Sequence, residues 1–290
     1  MPEFEREVET DIIDDMRFGQ CRISRDGIAK YSLDMSQLLW VSDGPTLFMI
    51  PNSVKVIEDG AFEGCKTLKD VRIPESVTAI ECEAFLGCES LREVHIPDSV
   101  KTIGYGAFAH CRSLVKVRIS NSVEEIESET FSCCRSLEEV YISDSLKYVG
   151  DDAFLECESI TFIVSDGNEH YSSESGALFD KNKETLIVGY PLVNGGSVTI
   201  PNRVVEIGTS AFSGSDSLKE VHISDSVTDI EDNAFGYCES LHDIYIPDSV
   251  VYIATRAFEG SSSAYFIVDP NNMNYCSRSG KLFSRSVDDQ

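Results

Sequence analysis

The chain has 290 residues, is 42% apolar, and sets 24 Lys and Arg against 50 Asp and Glu, a formal net charge of −26. So negative a chain argues against nucleic acid or an anionic membrane as the main partner and leaves basic partners or cations. No apolar run is long enough to span a bilayer, so no membrane insertion is expected.

The chain opens Met1-Pro2-Glu3-Phe4-Glu5, without the basic and apolar stretches of a secretory signal. This suggests an intracellular chain or a mature segment whose signal has been removed. Residues 1–20 are acidic and place Ile12, Ile13, Met16 and Phe18 at roughly helical spacing, which reads as a cap over a bare end. A weak copy of a later insert follows, from Gly27 through Leu38-Leu39 to Ile50-Pro51.

From there the chain repeats itself. Phe62, Phe85, Phe108, Phe131 and Phe154 recur every 23 residues, and Phe212, Phe235 and Phe258 resume the spacing. The common wording is Leu-x-x-Val-x-Ile-Pro-x-Ser-Val-x-x-Ile-x-x-x-Ala-Phe-x-x-Cys. A fixed period of this length marks a solenoid, whose units bury their apolar faces only by stacking. Within a unit, Leu68, Val71 and Ile73 alternate with polar residues as a β-strand does. Pro74 ends the strand because it has no N–H for a ladder. Ser76 then suits a turn, where its hydroxyl can satisfy free backbone groups. Val77 and Ile80 point inward from a second extended stretch, and Ala84-Phe85 closes the coil, through a helical or 3₁₀ turn.

Between the two blocks, residues 168–196 break the period. Gly176 to Phe179 and Leu186 to Val188 flank an Asp-Lys-Asn-Lys turn, which reads as a β-hairpin. The insert begins again at an offset of 104: Phe162 matches Phe266, Asn168 matches Asn272, Tyr171 matches Tyr275 and Gly176 matches Gly280. The expected organisation is one domain over 1–290. It comprises a cap and partial insert (1–49), five repeats (50–164), a hairpin insert (165–196), three repeats (197–268) and a partial second insert (269–290).

These residues carry a resemblance. The strand wording resembles the leucine-rich repeat, and the Pro-x-Ser-Val-x-x-Ile and Ala-Phe-x-x-Cys wording resembles its BspA-like, Treponema-type subclass. The resemblance implies an α/β fold by the leucine-rich-repeat convention, but strand-rich: a right-handed solenoid with a parallel β-sheet and 23-residue repeats. It also implies a cell-surface or extracellular protein that binds host matrix proteins or other cells. The missing signal leaves the cytoplasm as the alternative.

Six of the ten cysteines, Cys65, Cys88, Cys111, Cys134, Cys157 and Cys238, fill one column of the repeat, and Ser215 and Ser261 take the same place. A position open to Cys or Ser wants a small buried side chain, so these thiols are expected to be buried and reduced. The competing reading is disulfides between stacked coils, which demanding bond geometry disfavours. Of the others, Cys82 and Cys133 are expected to be exposed.

No metalloprotease, nucleophile-elbow, P-loop, dinucleotide-binding or Cys-x-x-Cys motif is present. No enzymatic activity, catalytic residue, cofactor or metal site is expected. His110-Cys111 reads as a variable neighbour beside a buried thiol rather than a catalytic pair. A column of Glu75, Asp98, Asn121, Asp144, Asn202, Asp225 and Asp248 reads as turn formers, not calcium ligands, since it lacks the spacing of a calcium loop.

The informative column lies between the two inward strand positions. It reads Arg72, His95, Arg118, Tyr141, Val164, His222, Tyr245 and Val268. Arg, His and Tyr fill 29 of 290 positions in the chain but six of eight here. Two readings fit. These residues are hot-spot types, so Arg72, His95, Arg118, Tyr141, His222 and Tyr245 form a binding stripe for a protein or glycan. Alternatively they neutralise a neighbouring column, Asp70, Glu93, Lys116, Glu139, Phe162, Glu220, Asp243 and Phe266, on a structural face. The first gives a non-enzymatic adhesion scaffold, the second a structural module of a larger surface protein.

Overall fold

A computed structural model describes residues 8–157, 159–189 and 196–285, which contain strands, turns and no helix. Residues 1–7 of the expected cap, 190–195 of the insert and 286–290 of the second insert lie outside the described residues. The chain forms two compact units, 1–154 and 155–290. Each is a β-solenoid with 23-residue coils.

In the first unit a coil has three walls. The front wall is the Val-x-Ile strand. Glu93–His95, Lys116–Arg118 and Glu139–Ile142 pair in parallel, and Leu47–Met49 pairs in parallel with Asp70–Arg72. The second wall stacks Val56–Ile57, Ala79–Ile80 and Thr102–Ile103. The third, carrying Ala-Phe, is a backbone ladder between turns. Phe62 N–H donates to Ala84 O (2.7 Å), Phe85 to Ala107 (2.7 Å) and Phe108 to Thr130 (2.9 Å).

The expected helical turn at Ala-Phe is therefore absent. Two left-handed residues flank this position in every coil but that of Phe258, for example Glu83 (φ 55°) and Gly87 (φ 70°). They turn alternate N–H groups toward the next coil, and a helix would spend those groups within its own coil. The phenyl rings behind this ladder stack almost parallel, Phe62 on Phe85 at 4.6 Å and Phe85 on Phe108 at 5.0 Å.

The Cys column packs beside the rings and does more than fill space. Cys88 Sγ donates to Phe62 O, Cys111 to Phe85 O and Cys134 to Phe108 O, each at 3.2 Å. Ser261 Oγ donates in the same way to Phe235 O (2.6 Å). The column thus requires a small side chain with a donor, which is why Cys and Ser interchange. Burial pushes the Cys65 and Cys134 thiols up to about 12 and raises Cys111 as well. All six are buried and unbridged. Cys82 is exposed as expected, but Cys133 is buried. Its left-handed backbone (φ 59°) lays a short side chain against the surface, 3.5 Å from Ser132 Oγ.

The Ser76 column also satisfies backbone. Ser76, Ser226 and Ser249 donate to Val54, Val204 and Val227 carbonyls at 2.7–2.8 Å.

The N-terminal region corrects the helical spacing. Thr10–Asp15 and Gly19–Ser24 form an antiparallel hairpin. Asp15 Oδ1 accepts from the N–H groups of Arg17 and Phe18, closing the turn, and leaves Ile12 and Met16 exposed. The hairpin continues into Ala29–Tyr31 and Gln37–Val41, and the latter pairs in parallel with Val56–Ile57.

The second unit repeats this scheme. Tyr171–Glu174, Ala177–Asp180 and Thr185–Val188 run antiparallel, and the last pairs in parallel with Glu206–Ile207. Its front wall is Ser197–Thr199, Glu220–His222, Asp243–Ile246 and Tyr265–Val268. The matched asparagines have one job. Asn168 Oδ1 accepts from His170 and Tyr171 N–H, and Asn272 Oδ1 from Asn274 and Tyr275 N–H, all at 2.7–2.8 Å. Both are fully buried, and each opens its hairpin by holding the turn before it.

Candidate functional surface

The front wall of each unit projects the middle residue of Val-x-Ile outward because side chains alternate across a strand. In the first unit, register places Arg118 opposite both His95 and Tyr141, and Arg72 opposite Met49. Arg72, His95 and Arg118 are exposed and Tyr141 is half-buried. Met49, 46% exposed, extends this stripe. Its signal was its place 23 residues before Arg72.

Arg72, His95, Arg118 and Tyr141 line a depression of about 710 Å³ that crosses four strands. Its floor is not inert. Arg118 lies over the Tyr141 ring, 5.4 Å from its centroid, a cation–π contact that holds both in place. Arg72 pairs with Asp70 (3.0 Å) and Lys116 with Glu139 (2.9 Å), and the carboxylate raises the Lys116 pKa. The side chains of His95, Lys69 and Arg92 have no hydrogen-bond or ion-pair partner among the described residues.

The second unit brings His222 and Tyr245 together as register partners. Both are exposed, and both are occupied by acids. His222 Nε2 lies 3.1 Å from Glu220, and Tyr245 Oη donates to Asp269 at 2.6 Å. That bond pushes the Tyr245 phenol up to about 12 and lowers Asp269.

The two Val entries of the column are corrected. Tyr245 pairs with Ile267, not Val268, and Asp243 pairs with Tyr265, not Phe266. The last coil is one residue out of step because Phe266 turns inward to meet Phe258 edge-on at 4.9 Å. The same shift buries Phe162 and exposes Ile163. A bulky Phe competes for the inward place and wins it by the area it removes from water. Among the turn formers, Asp98 Oδ1 accepts the Asn121 N–H at 3.2 Å.

A family model described as a BspA type leucine rich repeat region, in six copies, matches residues 45–173 and 192–285. No curated protein matches the chain. Among solved structures, the chain is similar to the pneumococcal vaccine antigen PcpA. The identity is 26% and the TM-score 0.66, over 83% of this chain and 68% of that one. It is also similar in fold to a leucine-rich repeat protein from Eubacterium ventriosum ATCC 27560. There the identity is 22% and the TM-score 0.58, over 83% of this chain and 69% of that one.

Proposed function

Because the chain belongs to the BspA-type leucine-rich repeat family, we propose that it is a non-enzymatic scaffold that binds a protein or glycan partner through the front wall of its first unit. The observation that carries this reading is the depression over Arg72, His95, Arg118 and Tyr141. It combines concavity, a fixed Arg–Tyr pair and unpaired cations, the features that concentrate binding energy. The similarity to a vaccine antigen supports a role in adhesion or host contact.

The test is an array of peptides and glycans probed with the parent and with the Arg118→Ala, Tyr141→Ala double variant. The expected result is a set of binders that the double variant loses. An identical binding profile for the two proteins would remove the surface from consideration.

A second reading has its own support. In the second unit, Glu220 and Asp269 engage His222 and Tyr245. That is what a structural face would do, so we propose that this wall serves stacking and solubility rather than recognition.

A further inference from the structure

We infer that the first-unit depression selects an acidic polypeptide segment, an inference that rests on the binding role just proposed and narrows it. The chain as a whole carries a net charge of −26. Its depression reverses that sign, with five cations lining it against three carboxylates. Two of the cations are spent locally, Arg72 on Asp70 and Lys116 on Glu139. Lys69, Arg92 and Arg118 remain, facing Glu93 alone. Such a local reversal within a negative field draws an anionic segment to this depression.

The cations form two rows. Lys69 and Arg92 stand at the strand entry, in register columns three residues before Arg72 and His95. Three residues along a strand span roughly 10 Å, and neighbouring strands lie about 4.8 Å apart. An extended segment laid between the rows can reach both with acidic side chains. Arg92 and Arg118 can each take a carboxylate with two parallel N–H donors.

Glu93 decides between the two classes of anionic polymer. It lies between the rows, where a uniformly sulfated glycan would set an anion against it. A polypeptide can instead present a backbone N–H to Glu93 while its spaced carboxylates meet the arginines. The Tyr141 ring, held under Arg118, adds the amphipathic surface that protein partners use.

The test uses fluorescence anisotropy with four probes on the full chain. They are a labelled peptide of alternating Glu and Ser, its Gln–Ser and Lys–Ser analogues, and labelled heparin. The Glu–Ser peptide is expected to bind best and to weaken as salt rises, since exposed charges are screened. Arg92→Glu and Arg118→Glu should each weaken it by about tenfold or more, as reversed charges oppose the ligand. Lys101→Glu makes the same charge change at an exposed site outside the depression and should leave binding within about twofold.

Equal binding of the Gln–Ser peptide, tighter binding of heparin, an equal loss with Lys101→Glu, or no binding of any peptide would each overturn the acidic-segment inference. The binding role itself stands or falls separately, on whether the Arg118→Ala, Tyr141→Ala variant changes the array profile. Circular dichroism of each variant identifies any loss that comes from unfolding.

Discussion

The front walls of the two units are built from the same repeat wording, yet they leave their polar side chains in different states. In the first unit the stripe borders a depression, with Arg118 held by Tyr141 and His95 without a side-chain partner. In the second unit the equivalent histidine and tyrosine are bound to Glu220 and Asp269. The difference comes from the residues around the stripe, not from the strands. The first wall has Lys116 and Arg118 in neighbouring columns of one strand, so Glu139 is taken by Lys116 and Arg118 is left to the Tyr141 ring. The second wall has Glu220 and Asp243 in the Lys116 column and no Lys or Arg in either column. One backbone scheme thus produces a surface available to a partner and a surface satisfied by itself.

The cores, by contrast, are alike, and this gives the largest expected effects. Phe108 and Phe235 are each the fully buried middle of a phenyl stack. Phe108→Ala and Phe235→Ala should each destabilise by about 3–5 kcal/mol, the usual cost of truncating a buried Phe. Chemical denaturation followed by circular dichroism measures both. A small loss at one of them would show that the units do not share one packing principle.

The walls should separate next. Arg118→Ala and Tyr141→Ala should each cost a partner about 1–2 kcal/mol of binding, as hot-spot truncations do. His222→Ala and Tyr245→Ala should leave binding unchanged. Arg118, His222 and Tyr245 are exposed, so their loss should change stability by no more than about 0.5 kcal/mol, whereas half-buried Tyr141 should cost about 1 kcal/mol with its cation–π contact. Calorimetric titration of array-identified binders against the four variants would erase the contrast if the second pair mattered as much as the first.

A smaller effect tests what the units share beside the rings. Cys111→Ser keeps a donor for the Phe85 carbonyl, whereas Cys111→Ala removes it. The Ala variant should be less stable than the Ser variant by about 1 kcal/mol, the net worth of one hydrogen bond. In the parent, a thiol reagent should label Cys82 first and reach the column only on unfolding, because burial keeps those thiols protonated. Equal stability of the two variants would reduce the column to a size requirement.

The smallest effect is a pH response of the second wall. The folded pKa of Tyr245 lies above its ordinary value of 10, at about 12, because the neutral phenol donates to Asp269. The stabilisation from this contact is therefore complete from the ordinary Asp269 value of 3.8 up to pH 10; it is lost as pH rises toward 12, and in acid as the lowered Asp269 carboxylate protonates. Burial of Tyr31 and the Glu129 contact of Tyr105 hold those phenols high as well, so ultraviolet titration should show several phenolates forming at high pH, of which Asp269→Asn shifts one downward. No shift would mean that Asp269 does not hold the phenol, and the two walls would then differ less than their geometry indicates.

Much of this was legible in the residues. The 23-residue Phe spacing determined the solenoid, because no unit of that length can bury its own apolar face. The Val-x-Ile alternation determined which residues face out, and the offset of 104 identified Asn168 and Asn272 as equivalents before their shared turn was seen. Three matters needed the tertiary structure. The inward turn of Phe162 and Phe266 shifted the last strand of each block by one residue, because burial of a ring outweighs a column in the wording. The Ala-Phe turn stayed out of a helix because its N–H groups serve the next coil, a partner that local sequence does not reveal. The state of each cation also needed the structure. Sequence places Arg72, His95, Arg118, Tyr141, His222 and Tyr245 on front walls, but whether an acid lies beside each depends on register and rotamer, and these exist only once the coils have stacked.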